Sequence, residues 1–546
     1  MEPNFSNNIK YMVNAFYSYC AEVFVDYKSK GPHYSIKTVK DETNPNGEEI
    51  EIKKEQSFDE YLMFQLYYNF GVKRRMINDN IALFYYDKHL PGYKADSPVT
   101  MLCRHMMFDF YSMRIISLGI PKAMKLDKFC DLYGIDMNTR YNIEFENGSH
   151  QIIQNPISKK YNFYEFPEGT MITYNPSLAQ YNIQAVTPST PEGGDDAAMA
   201  DIETDANVES VKANISAEFN KAFMFSTRRV LGTGTFGSQK TFLQMFEENN
   251  QNAGLDLSLI PAELIKDTVL VFNIEHPDNN IIGKKPINRN TLCGVFKFKS
   301  QEESVDQFLT ILNKEEIISD EIKQLFGVLA NGMVTQIPVE EFVVACGGLN
   351  IQTPMIIENI NSVSDESIIV TVLHRTSIDN LKSIISHQPI DFQGLMIYGA
   401  NGERTKIINE KYKSLLELKG HKPITIEEWN LKNLFFIYWR LMKTNKIADF
   451  LAAFELADSD RNYKKLFQWF SFMINGFSMG LFKAYHYSFV KKLMPKTNIP
   501  YAMKPMCGDL HTQYLKDKVP VSKNMVDAYL TGLSGSKIFW RLFSQQ

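Results

Sequence analysis

Apolar residues change their period once along this chain, and that change limits what it can fold into. Residues 1–97 are mixed in pattern, and from about 98 to 415 most apolar runs are short and bounded by turn residues, the pattern of strands. Beyond about residue 423 they recur at three- and four-residue intervals, the pattern of helices. The expected class is α+β, with an antiparallel or mixed sheet core followed by an all-helical C-terminal domain. A length of 546 residues leaves room for two to four domains.

The strand-like part subdivides by composition. Residues 1–97 are rich in aromatics and end in turn chemistry at Pro91-Gly92 and Pro98, which reads as an N-terminal lobe or subdomain. From 98 to 185, MLCRHMMFDF, MRIISLGI, YNIEFENG and GTMITYN have strand lengths, and Asn147-Gly148 has tight-turn chemistry. The stretch Glu192 to Glu209 then carries seven acidic side chains and no basic one. It holds too little apolar area to offset backbone entropy, so an acidic insert over about 187–210 is expected to be disordered, with a recruiting peptide as the functional rival. Strands resume near Phe223 and in TVLVFNIEHP, IIVTVL and QGLMIYG.

Helical signals interrupt and then replace this pattern. Ser300 and Glu303 form a capping-box pair ahead of Val305, Phe308, Leu309 and Leu312, predicting a helical insertion over about 300–330. Thr425 and Glu428 repeat that signature before Leu431, Leu434, Phe435 and Tyr438, so the helical domain is placed at 423–546, with its aromatic stripes read as core. The uncharged run Leu466 to Phe482 is short for a membrane span and is interrupted by Asn475, Ser478 and two glycines. It reads as a buried helix pair or helix hairpin.

The six cysteines are scattered with no CxxC pair, as expected of reduced thiols in an intracellular, cytoplasmic or nuclear protein. No secretory leader is read at the N-terminus. The net charge of -5 argues against chain-wide attraction to nucleic acid and leaves room for a local basic cleft. No metal site is read from the sequence, and RRVLGTGTFGS is glycine-rich without being a Walker A loop.

Six segments, taken in order, carry more. CRHMMFDF and PKAMKLDKF place Arg104 and Lys122; FYEFPEGTMITYN places Glu165, Phe166, Glu168, Gly169 and Thr170. LGTGTFGSQK places Thr233, Gly234, Thr235, Phe236 and Ser238. VFNIEHPDNNII places Phe272, Asn273, Pro277, Asn279 and Asn280. FQGLMIYG places Gln393, and ERTKIINEKY places Lys406, Ile408 and Tyr412. This series resembles the ATP-dependent RNA ligase branch of the covalent nucleotidyltransferases over roughly 98–415.

The resemblance implies a ligase-like nucleotidyltransferase core in which Arg104, Lys122, Glu168, Gly169 and Lys406 bind nucleotide or phosphate. It also implies losses. Phe166 stands where a lysine would attack the α-phosphorus of ATP, and a phenyl ring has no lone pair with which to do so. Thr233 and Asn280 replace cations, Ile408 replaces the second lysine of its strand, and Asn273 and Gln393 replace carboxylates. A neutral amide is a poor Mg²⁺ ligand. Arg228 and Arg229 are suspected substitutes for the basic group lost at Thr233. Glu275, two residues beyond Asn273, is displaced by one strand repeat of roughly 7 Å and reaches the pocket only through a bulge.

Three readings follow. The first is a degenerate ligase-like pseudoenzyme that binds RNA, nucleotide or a partner and needs no cofactor. The second is an active RNA ligase using ATP, Mg²⁺ and a relocated lysine, for which Lys122, Lys125, Lys159, Lys160 and Lys406 are candidates. The third is a purely structural or assembly protein.

Overall fold

A computed structural model describes residues 6–30, 33–40, 49–133, 140–144, 150–154, 162–166, 169–180, 224–232, 234, 240–279, 282, 287–299, 319–331, 333–364, 367–372, 377–389, 392–399, 402–420, 431–454 and 463–543. The chain divides into two compact units, Met1–Asn409 and Glu410–Gln546.

The first unit is built on antiparallel sheets. A four-stranded sheet runs in the order β3 (Val72–Met76), β4 (Ile81–Tyr86), β5 (Met106–Asp109), β6 (Arg114–Leu118). A five-stranded sheet runs in the order β11 (Phe225–Thr227), β10 (Thr170–Tyr174), β12 (Thr268–Glu275), β13 (Arg289–Phe298), β14 (Val334–Ile337). A three-stranded sheet sets β17 (Gly394–Tyr398) between β18 (Arg404–Ile408) and β9 (Asn162–Glu165). Three two-stranded ribbons complete it: β1 (Tyr34–Lys40) with β2 (Glu49–Glu55), β7 (Arg140–Glu144) with β8 (His150–Gln154), and β15 (Asn359–Ser364) with β16 (Ser367–Val372).

Alternation along the strands decides where the cores lie. On β12, Val269 and Val271 face a core shared with the helices α1 (Ser6–Ser29) and α2 (Phe58–Phe70), the four-stranded sheet and a helix at Ser319–Ala330. Leu270, Phe272 and Ile274 face the opposite core, against Phe242, Met245 and Phe246 of the helix Phe242–Ala253. In the three-stranded sheet Phe163, Leu395, Ile397 and Ile407 form the covered face. They pack against Leu381 and Ile385 of the helix Ile378–His387 and Phe129 of the helix Leu126–Leu132.

Several expectations are corrected here. Residue 97 marks no boundary between compact units, because β4 on one side of it pairs with β5 on the other and one core spans both. MLCRHMMFDF is not all strand: its first two residues, Met101 and Leu102, end a short helix, Pro98–Leu102, where Pro98 takes the first position and its missing N–H costs nothing, and only Met106–Asp109 is strand. The second unit starts at Glu410, with the helix Glu410–Lys419, rather than at 423.

Leu466 to Phe482 lies within one continuous helix, Tyr463–Tyr485, and not a helix pair. Phe467 and Phe470 before Asn475-Gly476, and Leu481 and Ala484 after it, are all buried and hold a single axis. Among the described residues no helix is long and apolar enough to cross a membrane. The helix Ser319–Ala330 falls within the expected 300–330 insertion. Its capping pair at 300–303, the acidic segment 187–210, the turn at 147–148 and the box at 425–428 lie outside the described residues. All six cysteines are free thiols, five of them buried.

Candidate functional site

The three-stranded sheet has one face covered by helices, and on its other face the same alternation places Arg404, Lys406, Met396, Tyr398 and Tyr164. In the register Arg404 pairs with Tyr398, and Met396 lies between Lys406 and Tyr164. The chain leaves this sheet at Glu165, passes Phe166 and enters the five-stranded sheet at Thr170, so residue 166 sits where the two sheets meet. The Phe166 N–H donates to the carbonyl of Gly394 at 3.1 Å. Gly394 has φ +146°, and a Cβ there would lie 2.1 Å from the Ile407 carbonyl oxygen, so this strand start accepts only glycine.

Lys406 stands at this point, and three further cations bear on it. The Lys406 Nζ stands 5.1 Å above the centre of the Phe166 ring, a cation–π contact. Lys406 is an exposed residue of β18, yet protein surrounds its charged end. That burial, followed by the nearby charges of Arg104, Arg404 and Lys122, pushes its ammonium down to about 8. Arg104 is likewise lowered, first by burial and then by Arg404; its Nη1 donates to the Ile120 carbonyl at 3.5 Å.

Lys122 is lowered by burial, with Lys125 and Arg104 adding to it against Asp96. Its Nζ donates to the Ala95 carbonyl at 2.9 Å. Arg404 is buried, donates to the Pro121 carbonyl and hydrogen-bonds Tyr398. Arg228 stacks on Tyr86 with its guanidinium 4.1 Å from the ring centre, and its charge also bears on Arg104; Arg229 lies over Tyr85 at 5.5 Å.

Acids beside this group are shared with other cations. Asp96 lies 3.7 Å from Lys125. Arg289 bridges two glutamates, with its Nε 2.6 Å from Glu275 and an Nη 3.6 Å from Glu165. Glu275 is therefore engaged by Arg289 rather than turned towards the cations. The bulge in this strand pair falls at Val271/Phe272, before Asn273, and leaves Glu275 opposite Arg289.

Asn273 and Gln393 each have a buried atom without a hydrogen-bond partner among the described residues, Nδ2 of the first and Oε1 of the second. Asn273 lies against Gly169, where a Cβ would come within 2.6 Å of that Nδ2 and 2.4 Å of the Ile274 carbonyl oxygen. Asn279 secures the same turn by donating to the Thr170 hydroxyl at 2.9 Å. Ile408 ends β18 half-buried.

Of the residues singled out from sequence, Arg104, Lys122, Lys406, Phe166, Gly169, Asn273 and Gln393 are described; Glu168, Thr233, Asn280, Lys159 and Lys160 are not. Arg104 sits in the turn after the helix Pro98–Leu102, not on a strand. Lys125, one of the suspected relocated nucleophiles, lies against Asp96. Arg404 was missed, although it lies two residues before Lys406 and so on the same strand face. His105 beside Arg104 is buried, contacts the Ser226 hydroxyl at 2.9 Å and is pushed down to about 3 by burial, which leaves it neutral and a part of the scaffold. No protein-family model matches the chain, and no curated protein matches it.

Proposed function

We propose that this chain is an RNA ligase-like pseudoenzyme that holds the phosphate of a nucleotide or an RNA end on the cations around Lys406, without self-adenylation at residue 166. The observation that carries the reading is the convergence of Arg104, Lys122, Arg404 and Lys406 while acids beside them are shared with Lys125 and Arg289. Cations that lower one another's proton affinity leave a site short of negative charge, and a phosphate supplies it with charge-assisted hydrogen bonds. Arginine forks suit that geometry. Without a lysine at 166 the phosphate is held and not transferred.

One contact favours the second reading. The Lys406 amine stands above Phe166 itself and, with its proton held only to about pH 8, is partly neutral near physiological pH. A neutral amine there would attack an α-phosphorus, form a phosphoramidate and release pyrophosphate.

One experiment separates the two. The full chain is incubated with α-labelled ATP and Mg²⁺, and binding of ATP and of a 5′-phosphorylated RNA is titrated in parallel for the wild type, Arg404→Gln and Lys406→Met. The first reading expects no covalent label, binding that weakens with salt, and losses of about tenfold or more per cation removed. An acid-labile adduct absent from Lys406→Met would replace it with the second reading. No binding of either ligand would remove both.

A further inference from the structure

The chain's modest net charge conceals a segregation. Residues 1–409 hold 37 Lys and Arg against 52 Asp and Glu, whereas residues 410–546 hold 21 against 11. Within the helices from 463 onward the ratio sharpens to twelve against three.

The long helix Tyr463–Tyr485 exposes an unusual face in this basic setting. Lys465, Trp469, Phe472, Gly476, Met479 and Lys483 recur at three- and four-residue spacing, so they share one side, and all six are exposed. The row spans about 27 Å at helical rise. Phe472 is 73% exposed and Trp469 39%. Beyond it, Tyr487 and Val490 continue outward, Lys491 lies over Tyr487 at 5.6 Å and Lys496 over Phe489 at 4.5 Å. An open apolar groove of about 270 Å³, lined in part by Phe472, Phe477, Met503 and Arg541, runs beside the row.

A helix on a protein surface ordinarily turns polar residues outward. This one turns out flat aromatic rings with a lysine at each end, which calls for a ligand at once apolar in its faces and anionic along its length. Single-stranded nucleic acid has both properties: its unstacked bases cover aromatic rings while its phosphates meet lysines. A duplex keeps its bases stacked on each other, and an apolar peptide leaves the positive charge unanswered.

We propose that the outward face of the helix Tyr463–Tyr485, from Lys465 to Lys483, is a binding site for single-stranded nucleic acid, with bases stacked on Trp469 and Phe472 and phosphates on the lysines. The site is independent of the cations around Lys406, which take a terminal or nucleotide phosphate.

The test uses the full chain with labelled oligouridylate, oligodeoxythymidylate and a duplex, all without a 5′-phosphate, and with vesicles of phosphatidylcholine and phosphatidylserine. Both single strands should bind more tightly than the duplex. The ribose strand binds more tightly than the deoxyribose strand only if the 2′-hydroxyl is also contacted. Phe472→Ala should weaken binding about 5- to 100-fold, the equivalent of one stacked base. Lys465→Gln combined with Lys483→Gln should flatten the salt dependence by about 0.7 per lysine.

Lys406→Met should leave these affinities alone, and Phe472→Ala should leave ATP binding alone, so failure at one site is read separately from failure at the other. Unchanged tryptophan fluorescence would show that the exposed substitutions leave the helices intact. Wild-type affinity in Phe472→Ala, equal binding of duplex and single strands, or vesicle binding without oligonucleotide binding would each overturn the proposal.

Discussion

At Lys406 burial of the charged end and repulsion from three other cations act in the same direction, and both favour loss of its proton. The amine therefore titrates at about pH 8 on its own, while a bound phosphate would stabilise the ammonium and move its titration upward. The contribution of this residue to phosphate affinity is complete below pH 8 and is lost as pH rises from there towards the bound-state value. ATP affinity should fall as pH rises above about 8, by at most about tenfold per unit, and Lys406→Met should remove the slope. A wild-type affinity constant over that range would separate Lys406 from the phosphate.

The type of residue was legible in the sequence at this site, and its company was not. Arg104, Lys122 and Lys406 stand out in the sequence itself. Nothing in the linear chain brings residues 104 and 122 to a strand at 404–408; the backbone of Pro121 and Met124 does, through the Arg404 side chain and main chain. Glu275 shows the converse. Its spacing from Asn273 was readable, but its capture by Arg289 depends on which strand lies next to it.

At the scale of elements, the helix Tyr463–Tyr485 shows how packing overrides punctuation. Its glycines read as a break, yet a glycine costs a helix only about 1 kcal/mol relative to alanine, less than the buried residues on either side contribute. At Gly476 a Cβ would meet nothing within 4 Å. Gly476→Ala should therefore stabilise the C-terminal unit by about 0.5–1 kcal/mol. All four tryptophans (Trp429, Trp439, Trp469 and Trp540) lie in that unit, so denaturation followed by their fluorescence reads it selectively. A lower denaturation midpoint would mean that the groove beside Gly476 cannot admit a methyl group. The short helix at Pro98 was missed for a related reason: an apolar run with no polar alternation fits a strand or a buried helical turn equally well, and the proline at its first position was the discriminating signal.

Over the whole molecule, closure of the first unit depends on side chains that join distant segments. Tyr17, fully buried on α1, donates to the Met113 carbonyl at 3.0 Å, accepts from the Ile115 N–H at 3.2 Å and touches the Met333 sulfur. Tyr17→Phe leaves a buried backbone donor and acceptor unpaired and should cost that unit about 1–3 kcal/mol. Calorimetry should show its transition lowered while the tryptophan-reported transition of the C-terminal unit stays in place. A shift of both would mean that the two units unfold together.

Hydrophobic period is a local property, so the sequence alone separated a strand-rich core from a helical C-terminal part and showed the absence of a lysine at 166, but not the helices Ser6–Ser29 and Phe58–Phe70 or the start of the second unit at Glu410. Tertiary structure decided which charges meet. Coulomb repulsion and desolvation act through space, so a cluster of cations at 104, 122, 404 and 406 forms only once the segments flanking the four-stranded sheet meet the edge strand Arg404–Ile408. In the same way, whether an aromatic stripe is core or surface is fixed by what packs against it, and Phe470 and Phe472, two residues apart on one helix, fall on opposite sides of that division.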